Sequence, residues 1–139
     1  MSLVEKLMKL DRGKLEEIPQ ARMKALRLSQ VMGEDVYITV QAVPGDKFTE
    51  LLSLAQNKKT GIADASKARR SQALVCVAGV VEPSLKDHDL MEHFGAATPE
   101  DLAKKLFPGG ELVDVFNKIG DLSGFSERED VDIDDEIKN

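Results

Sequence analysis

The chain has 139 residues, 42% of them hydrophobic but only 4% aromatic, with no Trp; this suffices for one core of ordinary size and excludes two comfortable domains. A core made mostly of Leu, Val, Ile, Ala and Met favours helices over a large β-sandwich. The net charge of −6 gives no basic surplus, which argues against a dedicated nucleic-acid binder.

At the N-terminus, Leu3, Val4, Leu7, Met8 and Leu10 recur at helical spacing, predicting a short amphipathic helix before Gly13, with residues 1–12 free to move until they pack. The same opening has an early acid, Glu5, and lacks the basic and apolar regions of a secretory leader. Ile18-Pro19 disfavours helix just before the proline, so the mixed stretch 21–33 reads as an extended piece followed by a turn at Gly33-Glu34. Residues 36–43 are rich in β-branched side chains, with Tyr37, and stop at Pro44-Gly45; they form the clearest strand and pair with the extended piece. Asp46 is placed to N-cap a helix whose Phe48, Leu51, Leu52 and Ala55 share one face.

Residues 57–70 are polar and carry Lys58, Lys59, Lys67, Arg69 and Arg70, which suggests an exposed loop leading into the next helix. The following run, 73–81, is apolar on all sides, so periodicity alone does not separate a buried strand from a helix beginning near Asp64; the preceding residues favour helix. Its nine residues fall well short of the roughly 20 needed for a membrane-spanning helix. Residues 87–94 form a short helix with Leu90, Met91 and Phe94 on one side, ended by Gly95. Thr98-Pro99-Glu100-Asp101 opens a helix to about Leu106 with a capping hydroxyl, a proline at the first helical position and acids at the positive end. A final helix follows Pro108-Gly109-Gly110, with Leu112, Val115, Phe116, Ile119 and Leu122 in a regular stripe.

The fold class expected is therefore α+β, mainly α-helical: a small antiparallel β-hairpin packed with about five or six short helices. Residues 1–125 make one globular domain. Residues 126–139 hold seven acids against Arg128 and Lys138, too much charge to bury Val131, Ile133 and Ile137, so a disordered acidic tail is expected there.

Chemistry-bearing residues are few, and none converge. Asp130, Asp132 and Asp134 imitate the first positions of a calcium loop, but the required Gly is Asp135 and the chain reaches Asn139 before the bidentate Glu. His88 and His93 are five apart on different faces of one helix, with no third histidine to complete a zinc site. Cys76, the only cysteine, lies among Leu74, Val75, Val77 and Ala78 with no basic partner nearby, and reads as a small buried hydrophobe. It also leaves no intrachain disulfide, in keeping with a reducing compartment. Lys59-Thr60-Gly61 and Gly109-Gly110-Glu111 lack the order or the lysine of a phosphate loop. The basic stretch 58–70 has no interleaved aromatic for base stacking and reads as a solvated loop. No catalytic, cofactor-binding or metal-binding residue is assigned, and no enzyme activity is expected.

The order of Glu82-Pro-Ser-Leu-Lys-Asp87, Leu90-Met91, Phe94-Gly95, Thr98-Pro-Glu100, Leu102, Leu106, Pro108-Gly-Gly-Glu111, Ile119 and Leu122-Ser-Gly-Phe125 is similar to that of the XkdN-like phage tail assembly chaperones, and the likeness extends upstream over nearly the whole chain. The resemblance implies a cytoplasmic chaperone that binds the tape measure protein, helps recruit tail tube subunits and is absent from the finished virion. Self-association is a further interaction to consider, and neither membrane nor nucleic acid is an expected partner. It also implies a longer form made by frameshifting, for which codons of Lys138-Asn139 would supply an adenine-rich slippery site. The competing readings are a nucleic-acid-binding or transcription-related accessory protein acting through residues 58–70, and a structural adaptor retained in the tail.

Overall fold

A computed structural model describes residues 2–56, 59–62 and 64–125. The expected tail 126–139, its calcium-like aspartates, and Lys58 at the head of the basic stretch lie outside those residues. In chain order the elements are α1 (Leu3–Met8), α2 (Arg12–Glu16), β1 (Gln20–Lys24), α3 (Leu26–Met32), β2 (Tyr37–Gln41), α4 (Gly45–Ser53), α5 (Ala65–Gly79), β3 (Val80–Glu82), α6 (His88–His93), α7 (Pro99–Leu106) and α8 (Gly110–Leu122). The class is α+β and mainly helical, with eight helices and a three-stranded antiparallel sheet among the described residues.

The sheet has the order β1-β2-β3. Ala21 lies opposite Val40 and Met23 opposite Ile38, and because side chains alternate across a strand, these four share the inner face. Ile38 and Val40 are buried, while Ala21 and Met23 are half-buried. The outer face carries Gln20, Arg22, Lys24 and Tyr37. There the Arg22 guanidinium lies 4.8 Å from the centre of the Tyr37 ring, and Lys24 Nζ is 2.9 Å from Asp35 Oδ1.

The pairing expected between the extended piece and residues 36–43 is present, but the connection is no simple turn. Residues 26–32 coil into α3, which ends on Gly33 in the left-handed region at φ 71°. The helix has no side-chain cap of its own at Ala25. The Glu111 carboxylate, from the start of α8, accepts instead from the backbone N–H groups of Leu26 and Arg27. Local sequence therefore understates this helix, because its cap comes from 85 residues away. Glu111→Ala is expected to lower stability by about 1 kcal/mol, the usual cost of losing a helix cap. Denaturant melts should record that loss, and amide exchange should quicken first in α3.

Three other local readings change. The helix through the apolar run stops at Gly79, and Val80–Glu82 turn into β3, as suits the β-branched pair Val80-Val81. The hairpin thereby gains a third strand, which meets β2 through a register shift between Thr39 and Val40. Asp46 is not the cap of α4: Pro44 occupies that position and Asp46 sits in the first turn, where an acid still suits the positive helix end. Residues beyond Leu10 also continue into α2, which Asp11 caps by accepting from Gly13 N–H at 3.1 Å.

Helices α5, α6 and α7 carry side-chain caps of their own, that of α7 at the hydroxyl expected from sequence. Thr98 accepts from Asp101 N–H at the head of α7, and Asp87 from Leu90 N–H at the head of α6. Asp64 accepts from Ser66 and Lys67 N–H at the head of α5, and hydrogen bonds led by the Ser66 side chain hold its carboxyl below the usual range. Phe94, expected beside Leu90 and Met91, is instead 44% exposed at the end of α6.

Helix α5 is the centre of the packing. It lies against α4, α7 and α8, while α8 also reaches β2. Val75, Cys76, Leu102, Phe107, Leu112, Val115 and Ile119 are buried between these elements. The one buried polar side chain among the described residues, Ser71, donates its hydroxyl to the Leu51 carbonyl near the end of α4 at 2.6 Å. That bond satisfies both groups and ties α5 to α4.

Candidate protein-binding surface

The residues with catalytic or ligand chemistry are dispersed or engaged. Cys76 is fully buried, its thiol 3.8 Å from the Leu112 carbonyl, and burial pushes its pKa up to about 12. It therefore stays a protonated, packed thiol rather than a nucleophile. His88 and His93 are exposed at opposite ends of α6, and His93 packs edge-on against Phe94 at 4.8 Å. Among the described residues, no group of three or more His, Cys, Asp or Glu side chains is arranged to hold a metal ion.

The basic stretch does not behave as a solvated loop throughout. Lys67, Arg69 and Arg70 lie on α5. The Arg69 guanidinium donates to the Gly109 carbonyl at 2.7 Å, and Arg70 pairs with Glu100 of α7 at 3.3 Å. Two of its cations thus help to hold α5 against α7 and the entry to α8, rather than pointing together at a polyanion.

What the fold leaves open is apolar. Neither α1 nor α2 buries a single residue, and Leu3, Val4, Leu7, Met8, Leu15 and Ile18 all face solvent, with Met8 at 81%. Both helices are nonetheless properly begun, by Ser2 accepting from Glu5 N–H and by Asp11. Local capping is thus spent on an arm with no core to join. Isolated helices shorter than roughly 12–15 residues are marginal in water, and α1 has six residues, so its apolar stripe is suited to being covered. A second exposed group, Leu26, Val31 and Met32, lies on α3.

The arm leads into an open groove of about 380 Å³, bounded by residues 15–19, Ala42, Val43 and Pro44, and by Leu122 and Ser123. Its far wall is fixed by Ser123, whose hydroxyl accepts from Val43 N–H at 2.9 Å and donates to the Ile119 carbonyl at 2.6 Å. Beside it, Phe125 stacks on Phe48 at 4.6 Å while remaining 47% exposed. Sequence reading found the amphipathic stripe of α1 but missed α2 and this groove, since the groove joins segments more than 100 positions apart.

No helix among the described residues is long and apolar enough to cross a membrane. The crystal structure of the protein yqbn, a structural genomics target, is similar with a TM-score of 0.54 over 79% of this chain and 90% of that one. At 24% identity, that likeness concerns the fold alone. No curated protein sequence matches the chain. The family model of the phage XkdN-like tail assembly chaperone proteins, by contrast, matches residues 4–138, so that the groove, the helical core and all of the arm from Val4 onward fall within it. The chain belongs to the phage XkdN-like tail assembly chaperone family.

Proposed function

We propose that this protein is a non-catalytic chaperone of the host cytoplasm that binds the tape measure protein during tail morphogenesis and helps bring tail tube subunits to it. The observation that carries this reading is the family match over residues 4–138. The exposed stripe of α1, continued by Leu15 and Ile18, supports it physically. A long client with unburied apolar helices needs reversible cover, and an amphipathic helix offers it through contacts at every third or fourth residue. In this reading, residues 1–125 act as one domain and the acidic segment that follows keeps the loaded complex soluble.

Co-expression tests the proposal. The tape measure protein should move from the insoluble to the soluble fraction in the presence of this chain and co-purify with it. Val4→Asp with Met8→Asp, two exposed positions, should reduce the recovered client by about tenfold, equivalent to about 1.4 kcal/mol of binding, with an unchanged circular dichroism spectrum. An unchanged solubility and no co-purification would refute the client assignment. Purified particles should lack the protein; its presence there would favour the tail adaptor.

A further inference from the structure

We infer that, without client, two copies of this chain exchange their N-terminal arms, the apolar stripe of α1 from each lying in the groove of the other between residues 15–19, the Pro44 turn and the end of α8. Several observations select a second copy as the occupant. The stripe and the groove are both apolar and uncovered, and both belong to every copy, so the exchange closes on itself with two-fold symmetry.

Charge fits in the same sense. Lys6 lies beside the stripe, whereas Glu17 lines the groove; the neighbouring Glu16 is already paired with Arg12 at 2.8 Å. Across residues 2–18, the arm carries equal numbers of acids and bases, which suits pairing with its own kind better than with a strongly charged partner.

The area is also adequate. Leu3, Val4, Leu7, Met8, Leu15 and Ile18 are each at least half exposed; with on the order of 100 Å² apiece, they bring the pair to about 1,200 Å², the lower end of a specific interface. Such a dimer is weak enough for a client to displace. The exchange gives α1 the cover that six residues need to remain helical, and hides the surface assigned above to the client until the client arrives. It therefore builds on the proposed function, but its failure can be told apart from the failure of that function.

Sedimentation of the full chain without client is the first test. A dimer at about 100 μM that dissociates on dilution is expected, as association makes the assembly state depend on concentration. Leu7→Asp should leave only monomer. A wild-type chain that stays monomeric, or a dimer that survives Leu7→Asp, overturns the exchange.

Disulfide trapping then tests the seating. Leu7→Cys in one tagged copy and Ile18→Cys in a differently tagged copy should cross-link to each other under mild oxidation, with the buried Cys76 as a silent background. Preferential cross-linking between two Leu7→Cys copies would mean that α1 pairs with α1, and would overturn the groove assignment. If the chain proved monomeric while Val4→Asp with Met8→Asp still lost the tape measure protein, the exchange would be wrong and the proposed function would stand.

Discussion

Phe48→Ala is expected to lower the unfolding free energy by about 3–5 kcal/mol, the range for emptying a buried aromatic site. Phe48 is 2% exposed on α4 and faces the last turns of α8. Its ring lies 5.9 Å from that of Phe116 at an interplanar angle of 27°, and 4.6 Å from that of Phe125 at 8°. Gly120 adds to the fit, since a Cβ at that position would meet the Phe48 ring at 3.4 Å. Truncation would remove the wedge between α4 and α8 and strand two further rings, each stacked pair being worth about 0.5–1.5 kcal/mol beyond its area. Guanidinium melts of the purified chain measure this effect. Phe48→Leu should cost distinctly less because most of the volume stays; equal losses for the two variants would show that cavity formation is not the cause.

Gly79→Val should cost about 3 kcal/mol, the upper part of the range for overpacking a filled core. A Cβ on Gly79 would lie 2.6–2.8 Å from three side-chain carbons of Ile119, well inside contact distance. The position is confined because Gly79 ends α5 and Val80 begins β3, so the backbone has little room to retreat from α8. A double-mutant cycle with Ile119→Ala separates the overlap from other causes. The paired variant should recover a large part of the loss, and strict additivity would place the strain elsewhere.

The parts of the fold visible in sequence are those whose determinants are local. Thr98-Pro99-Glu100 carries its cap, its helix-compatible φ and its charge preference within three residues, and α7 begins there. The stripe from Leu112 to Ile119 likewise marks the buried face of α8. Helix α3 was obscured because its N-terminal cap is supplied by Glu111, and β3 because three residues leaving a helix carry too little pattern to separate strand from helix. The same division holds for the candidate surface. The apolar face of α1 follows from spacing alone, but its remaining unburied depends on what the rest of the chain packs against. The groove depends on Ser123 meeting Val43, a contact no local pattern announces.

The bond from Val43 to Ser123 and the cap from Glu111 to α3 also constrain the order in which the protein matures on the ribosome. Each joins groups at least 80 positions apart. The N-terminal half therefore emerges with α3 uncapped and the end of β2 unsecured, and contacts this distant in sequence slow folding by their loop-closure cost. Domains generally fold as units during synthesis, and here the unit is completed only when α8 has left the exit tunnel. The arm is not secured by that completion: α1 and α2 bury no residue against the body, so a finished chain still leaves the ribosome with its six-residue helix awaiting cover.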